Sequence, residues 1–182
     1  NTDRYYFFYL FTLGATMGVF LSADLYTTLL FFEVMSFTSY AWVAHDETDK
    51  SLRAANTYLA IAIIGGLVSL MGLFLIYDAL GTLKISELYT AAQALSDKTV
   101  LYIAGGCMLF GFGAKAGMFP LHVWLPKAHP VAPAPASALL SGILTKTGVY
   151  GVLIVSCDIL RYDPSWGIAV LVFGVLTMFF GA

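Results

Sequence analysis

The sequence predicts an all-α membrane protein, a bundle of helices that crosses the bilayer several times. Of its 182 residues, 59% are hydrophobic and only 11% are charged, whereas soluble domains are about 45–50% apolar and about 25% charged. Six apolar runs approach or reach the ~20 residues that a helix needs to cross the hydrocarbon core. None alternates with the period of two that a membrane β-barrel requires. Because backbone groups in lipid must pair within their own segment, we expect each run to be helical.

The six runs divide the chain almost evenly. They cover residues 5–22, 25–44, 54–77, 99–119 and 136–156, and a last run begins near Trp166. The connection 78–98 mixes apolar and polar residues and predicts a short amphipathic surface helix. The connection 121–135 holds four prolines, which exclude a continuous helix. We expect residues 1–182 to form a single transmembrane region and to be an internal section of a longer protein, since the chain begins with Asn1 and ends within an apolar run.

Composition and motifs exclude several functions. The net charge of −2 gives no basic surface for nucleic acid. Cys107 and Cys157 lack the spacing of a metal or redox site and are predicted to be two plain buried thiols. No phosphate-binding loop, dinucleotide fingerprint or nucleophile elbow is present. We therefore expect no catalytic residue, cofactor or metal in this chain, and any redox reaction would belong to other subunits.

The distribution of lysine and arginine gives a weak orientation signal. With six crossings, one face carries Arg4, Lys50, Arg53 and Lys127, and the other carries Lys84, Lys98 and Arg161. Positively charged loops favour the cytoplasmic side. The first face is therefore the predicted cytoplasmic face.

One acidic residue lies where a charge is costly. Glu33 is halfway along the second apolar run. A charge at the bilayer centre costs at least ~2.5–3.5 kcal/mol on insertion scales. We interpret Glu33 as a member of a proton or ion relay. A structural ion pair between helices is the alternative interpretation, and the two are compatible.

A lysine lies in a glycine-rich segment of the fourth run. Lys115 is surrounded by Gly111, Gly113 and Gly117, and Pro120 follows. Glycine weakens a helix and proline removes a donor, so the segment predicts a broken helix. Interrupted membrane helices line cavities and often mark ion sites. We expect Lys115 to exchange protons there, although a lysine this near the end of its run can also snorkel to the interface.

Three further residues complete the predicted pathway. Lys146 is centred in the fifth run, too far from either interface to snorkel easily, and is expected to face protein or water. His122 and His129 lie in the proline-rich connection and are candidates for proton access. Loop histidines that fix a turn by hydrogen bonds are an equally good interpretation. We also expect Glu33 and Lys115 to lie within ion-pair reach, directly or through water, because each is otherwise uncompensated.

A long motif carries a family resemblance. Residues 111–151 read GFGAKAGMFPLHVWLPKAHPVAPAPASALLSGILTKTGVYG. This stretch, and above all Pro-Leu-His-x-Trp-Leu-Pro-x-Ala-His, resembles the antiporter-like subunits of respiratory complex I, of membrane-bound hydrogenases and formate hydrogenlyases, and of Mrp-type sodium/proton antiporters. The earlier segment DLYTTLLFFEVMSFTSY is similar to the glutamate-bearing helix of that family.

The resemblance implies a fold and roles for three residues. Members have about fourteen helices with two inverted five-helix repeats, and this chain matches the first repeat and the opening helix of the second. Glu33 matches the essential glutamate of the family. Lys115 matches the lysine of its broken helix, and Lys146 matches the central lysine of the next helix.

Three functions are consistent with these observations. The first is a proton-translocating subunit of a complex I or hydrogenase type complex, with Glu33, Lys115 and Lys146 as the relay. The second is a sodium/proton antiporter subunit of an Mrp-type complex. The third is a structural scaffold, which three mid-membrane charges disfavour. The expected partners are other membrane subunits, the lipid bilayer, and protons or sodium, in the inner membrane of a prokaryotic cell.

Overall fold

Long helices dominate residues 2–181, the part of the chain that the computed structural model describes. The α-helices are α1 (Thr2–Leu21), α2 (Leu25–Val43), α3 (Asp49–Leu80), α4 (Ile85–Ala94), α5 (Thr99–Ala116), α6 (Leu125–Ala128), α7 (Ala134–Leu139), α8 (Thr145–Ile154) and α9 (Pro164–Gly181). A 3-10 helix, Leu121–Trp124, precedes α6. Two π-helical segments, Leu140–Leu144 and Val155–Ile159, flank α8.

Within residues 2–181, four helical stretches are long and apolar enough to cross a membrane. They are Asp49–Leu80, Thr99–Ala128, Ala134–Ile159 and Pro164–Gly181. The predicted all-α transmembrane bundle is confirmed. Helices α1 and α2 have 20 and 19 residues, which at 1.5 Å per residue also approaches the ~30 Å of the hydrocarbon core. Their crossing of the bilayer, and the total of six, remain predictions.

Helix α3 is longer than its apolar run. The Thr48 side chain accepts a 3.1 Å hydrogen bond from the backbone N–H of Ser51, and Asp49 lies in the first turn. An N-cap threonine and an acidic first turn both stabilise a helix start. The helix therefore begins at Asp49, five residues before the third apolar run, which covers residues 54–77.

The connection between α3 and α5 forms the predicted amphipathic helix. Helix α4 buries Leu88 and Ala92. The backbone around the start of α4 pairs with the backbone around the start of α2: Leu25 N–H donates to the Leu83 carbonyl at 2.9 Å, and Ile85 N–H to the Ala23 carbonyl at 3.0 Å. This pairing fixes α4 against the start of α2.

The fifth predicted run is one helical stretch with irregular hydrogen bonding. The segments 140–144 and 155–159 are π-helical, a feature that the sequence did not predict.

The two cysteines differ in exposure: Cys157, near the end of the fifth run, is exposed, whereas Cys107 is half-buried. Both thiols are unpaired, but the prediction that both are buried is wrong for Cys157, which lies on the outer side of the second π-helical segment.

Glycines bring α3 and α5 close together. A Cβ atom on Gly111 would meet the Ser69 side chain and the Gly65 backbone. On Gly113 it would meet the side chain of Met118, at 2.6 Å from its Cε. Both glycines lie inside the regular helix Thr99–Ala116. They allow close packing, and they do not interrupt the helix as the sequence predicts for them.

Candidate functional site

The break in the fourth run lies at residues 117–120. Helix α5 ends at Ala116, Gly117 has φ +81°, and the Phe119–Pro120 bond is cis. A left-handed residue after the last turn is a common helix ending, and glycine adopts it without strain. Gly117 and Pro120 thus lie in the interruption predicted for them, which comes after Lys115.

Trp124 satisfies a backbone group at this break. Its indole Nε1–H donates a 2.7 Å hydrogen bond to the carbonyl of Ala114. The last carbonyls of a helix lack partners within the helix and must find others when buried. Trp124 is itself 1% exposed. The tryptophan of the Trp-Leu-Pro motif therefore connects the end of α5 to the segment that follows it.

Lys115 lies in the last turn of α5 and is 3% exposed. Its Nζ donates a 2.9 Å hydrogen bond to the Ser36 hydroxyl and another to the Tyr58 hydroxyl. It also lies 4.5 Å from the centroid of the Tyr58 ring, whose π face attracts a cation. The negative end of the helix dipole adds a favourable field. A buried ammonium is thus held by neutral groups and does not snorkel.

Further contacts hold the Tyr58 side chain in place. The hydroxyl groups of Tyr58 and Ser39 are 2.5 Å apart and hydrogen-bonded. The Tyr58 ring packs against Trp124 with centroids 4.9 Å apart. Helices α2, α3 and α5 and the segment after the break all contribute to this cluster. The position of Lys115 is therefore determined by residues far apart in the chain.

Glu33 faces α3 across from Gly66. A Cβ atom at Gly66 would collide with the Glu33 carboxyl group. The carboxylate oxygen Oε1 is buried and has no hydrogen-bond partner among the described residues. Glu33 also lines a cleft of about 420 Å³ whose other walls include Leu30, Phe37 and Leu67. An unsatisfied carboxylate in apolar surroundings is costly.

Glu33 and Lys115 do not form a direct salt bridge. The salt bridges within residues 2–181 are Arg4–Glu47 and Lys84–Glu87. The charges of the half-buried Glu33 and the buried Lys115 interact electrostatically at longer range. Ser36, which accepts from Lys115, lies one turn after Glu33 on α2. The Ser36 hydroxyl therefore lies next to both charges. The pairing of Glu33 with Lys115 through water remains a prediction.

Lys146 lies on an exposed face of α8. Its neighbours at helical spacing, Ile143, Val149 and Leu153, are 38%, 44% and 53% exposed. Gly148 instead packs so closely on α5 that a Cβ there would meet the Phe112 carbonyl. Two residues turn an α-helix by about 200°, so Lys146 points away from α5. No hydrogen bond joins it to Lys115 in the described part of the chain.

The two histidines have different surroundings. The Nδ1 of His129 is 2.6 Å from the Ser137 hydroxyl, which also donates to the His129 carbonyl at 3.0 Å. This is the geometry of a loop histidine that fixes a turn. His122 stacks on Phe119 with centroids 5.6 Å apart, and its buried Nδ1 has no partner within residues 2–181. Their role in proton access remains a prediction.

Sequence reasoning missed Ser36, Ser39 and Tyr58. A signal existed for the serines, because they follow Glu33 at intervals of three and so form a polar row along α2. Tyr58 gives no such signal, since it lies near the start of a long apolar run. Its contact with Lys115 spans 57 residues of chain.

Comparisons with known proteins define the class to which this fold and site belong. A model of the family "NADH:quinone oxidoreductase/Mrp antiporter, TM" matches residues 22–182. The chain is 35% identical over 182 residues to an Na(+)/H(+) antiporter subunit of Alkalihalophilus pseudofirmus, covering 98% of this chain and 37% of that protein. It is 35% identical over 156 residues to hydrogenase-4 component B of Escherichia coli, covering 84% of this chain and 23% of that protein.

Solved structures support the same class. The membrane-bound sulfane sulfur reductase, an archaeal respiratory membrane complex, matches with a TM-score of 0.81 and 26% identity, covering 93% of this chain and 35% of that chain. The Mrp complex from Dietzia sp. DQ12-45-1b matches with a TM-score of 0.76 and 27% identity, covering 85% and 30%. The molecule is thus an integral inner-membrane protein of the antiporter-like subunit class.

The chain belongs to the NADH:quinone oxidoreductase/Mrp antiporter transmembrane family. It spans roughly a quarter to a third of the length of the relatives and structures that it matches.

Proposed function

We propose that this chain is part of a cation/proton antiporter subunit of an Mrp-type multisubunit membrane complex. The similarity to the sodium/proton antiporter subunit of Alkalihalophilus pseudofirmus extends over 98% of the chain, and that breadth favours the antiporter over a redox-driven pump. Other membrane subunits are its partners. Glu33, Lys115 and Lys146 carry protons through it.

One observation carries this proposal: the ammonium of Lys115 is bound by neutral hydroxyls while a carboxylate lies nearby without a partner. A purely structural ion pair gains its stability only from close, well-satisfied contact. Here the two charges are separated: Lys115 is buried and Glu33 is half-buried, and both lie in apolar helices, where a charge is costly. Such an arrangement suits groups whose contact is made and broken during a transport cycle.

In the proposed cycle the site alternates between two arrangements, which differ in the group that binds the Lys115 ammonium. When Glu33 is ionised, it attracts the ammonium away from Ser36 and Tyr58. When Glu33 is protonated, the attraction disappears and the hydroxyls keep the ammonium. Proton binding at Glu33 therefore moves a charge between α2 and the end of α5. The break at Gly117 allows the last turn of α5 to follow this movement.

Lys146 is the next carrier in the proposed pathway. Because it points away from α5, the step between the two lysines requires water or a movement of α8. The exposed face around Lys146 must be covered by protein or water in the membrane, since a charge facing lipid costs several kcal/mol. We assign that role to the part of the subunit that follows this chain.

A redox-driven proton pump is the second candidate. The 35% identity to hydrogenase-4 component B favours it. The same three residues would carry protons in both cases, and only the source of energy would differ. The scaffold interpretation does not explain why two lysines and a glutamate lie within apolar helices.

Transport by the reconstituted full-length complex tests the proposal. Proteoliposomes are loaded with a pH gradient, and sodium or potassium is then added. An antiporter dissipates the gradient on cation addition, and Lys115→Ala abolishes the response. Formation of a pH gradient on addition of a reductant and an electron acceptor, without any added cation, would instead identify the redox-driven pump. An assembled Lys115→Ala complex that still exchanges cations for protons at the original rate would refute the relay.

A further inference from the structure

A second charged region lies at the end of the bundle, away from Glu33 and Lys115. A cleft of about 750 Å³ separates the start of α3 from α6, and three basic side chains line it: Lys50, Arg53 and Lys127. They come from two elements that are more than 70 residues apart in the chain. The cleft has the size of a small-molecule site, typically about 300–1,000 Å³.

The three cations lack acidic partners. The salt bridges within residues 2–181 do not involve them. Asp49 is the one acidic residue that lines the cleft, so three positive charges and one negative charge leave a net charge of +2. Glu47 does not reduce this net positive charge further, because its carboxylate lies 2.5 Å from the Arg4 guanidinium. The cleft is thus electropositive.

These basic residues do not stabilise the helix that carries them. Lys50 lies in the first turn of α3 and Arg53 follows it. The N-terminus of a helix is its positive end and disfavours cations. Neither residue therefore gains stability from the helix itself. Their charges are available to an anion from outside.

The cleft lies at the level of the lipid headgroups. The apolar run of α3 begins at Ala54, and its 24 residues up to Tyr77 are sufficient to cross a hydrocarbon core of about 30 Å. Lys50 and Arg53 precede this run. Lys127 follows α5 at the same end of the bundle. All three cations lie on the face that carries more lysine and arginine, the predicted cytoplasmic face.

The walls of the cleft combine charged and apolar residues. Ala54, Pro126 and Pro130 line the cleft together with the cations. The one hydroxyl in the lining, that of Thr57, already donates to the Arg53 carbonyl at 3.0 Å. A free phosphate ion would meet carbon on one side. A phospholipid presents a phosphate to the cations and its glycerol and acyl chains to the apolar wall.

We propose that this cleft binds the phosphate headgroup of an anionic phospholipid. Lys50, Arg53 and Lys127 hold the phosphate, and Ala54 and the two prolines contact the apolar part of the lipid. Basic pockets between membrane helices near the cytoplasmic face have this chemistry. The site does not depend on the transport function proposed above, and lipid binding is measured without transport.

Binding of phosphatidylglycerol to the full-length complex tests the site. Detergent-solubilised complex is incubated with radiolabelled phosphatidylglycerol, and unlabelled phosphatidylglycerol, phosphatidylcholine or inorganic phosphate is added as competitor. We expect only unlabelled phosphatidylglycerol to displace the label at equal concentration. Each single variant, such as Lys127→Ala, weakens binding about fivefold, and the triple variant Lys50→Ala/Arg53→Ala/Lys127→Ala weakens it on the order of 100-fold.

A matched triple variant controls for net charge. Lys84→Ala/Lys98→Ala/Arg161→Ala removes the same charge from the opposite face and should leave binding unchanged. Equal loss in both triple variants, or wild-type binding in the first, would overturn the site. Competition by inorganic phosphate as effective as that by phosphatidylglycerol would overturn the lipid and assign the cleft to a free anion. The single variants change exposed side chains and keep the test valid if a triple variant fails to assemble.

Discussion

Two lysines within the membrane helices have opposite surroundings. Lys115 is enclosed: it has hydrogen bonds to Ser36 and Tyr58 and almost no exposed surface. Lys146 lies on an open face with no hydrogen bond or salt bridge in the described part of the chain. This difference indicates that residues of this chain are sufficient to enclose the Lys115 ammonium. The second needs further protein, because lipid would not accept its charge.

The strongest test of this comparison is Lys146→Ala. If the lysine only carries protons, its removal slows transport by about 100-fold, the usual contribution of a positioned proton-transfer group. Assembly survives, since alanine favours the helix and no hydrogen bond or salt bridge within residues 2–181 is lost. Lys146→Arg should fail similarly, because guanidinium keeps its proton. Cation/proton exchange in proteoliposomes and complex assembly on native gels are measured in parallel. Normal transport by assembled Lys146→Ala would remove this residue from the pathway.

An added methyl group should destabilise the protein next to the enclosed Lys115 and have little effect on the open face around Lys146. Gly111→Ala, one turn before Lys115 on α5, forces a methyl group against the Ser69 side chain and the Gly65 backbone, and overpacking of this kind costs about 1–3 kcal/mol. Gly142 lies near Lys146, and a Cβ added there would have no atom within 4 Å, so Gly142→Ala should be tolerated. Thermal unfolding of the two purified full-length variants measures the difference. Equal melting temperatures would show that the packing of α3 on α5 next to Lys115 is as loose as the open face.

Loss of one hydroxyl gives a smaller effect. Tyr58→Phe keeps the ring that packs on Trp124 but removes one of the two hydrogen bonds to Lys115. A net loss of about 1 kcal/mol corresponds to an approximately fivefold change in the balance between the two arrangements of the lysine. We expect transport to slow accordingly. Tyr150→Phe, on α8, is the control, since Tyr150 contacts Phe20 through its ring. Similar rates for both variants would contradict a role for the Tyr58 hydroxyl.

The smallest effect concerns the surface, outside both lysine sites. The hydrogen bond and charge of Arg4 lower the pKa of Glu47. A lowered pKa in the folded state means that this contact stabilises the fold above the ordinary glutamate pKa of about 4.3 and that the stabilisation is lost as the pH falls. Glu47→Gln should therefore melt slightly below the wild type at neutral pH. The two proteins should converge under acidic conditions, and a constant difference across pH would exclude this origin.

Sequence reasoning succeeded where the information is local. The length of the apolar runs predicted the helices, and the glycine–proline segment predicted the break that lies at Gly117 and Pro120. It failed where contacts join distant residues. The bond from Lys115 to Ser36 spans 79 residues, and no spacing along the chain reveals it. The prediction that Gly111 and Gly113 interrupt the helix was wrong for a related reason. Both glycines allow other residues to pack closely on α5, and this packing leaves the helix regular.

The π-helical segment 140–144 has a consequence for reading homologous sequences. A π-turn arises when one residue is inserted into an α-helix, so that the bulge accommodates an extra position without a loop. Each residue rotates an α-helix by about 100°. A homologue that lacks one residue here would therefore form a regular α-helix through this segment and keep the side chain at position 146 in the same direction, because the bulge, and not the helix after it, absorbs the extra position. A single-residue gap in an alignment at this segment thus marks a bulge that one chain has and the other lacks, and the residues on its two sides, Lys146 among them, remain structurally equivalent.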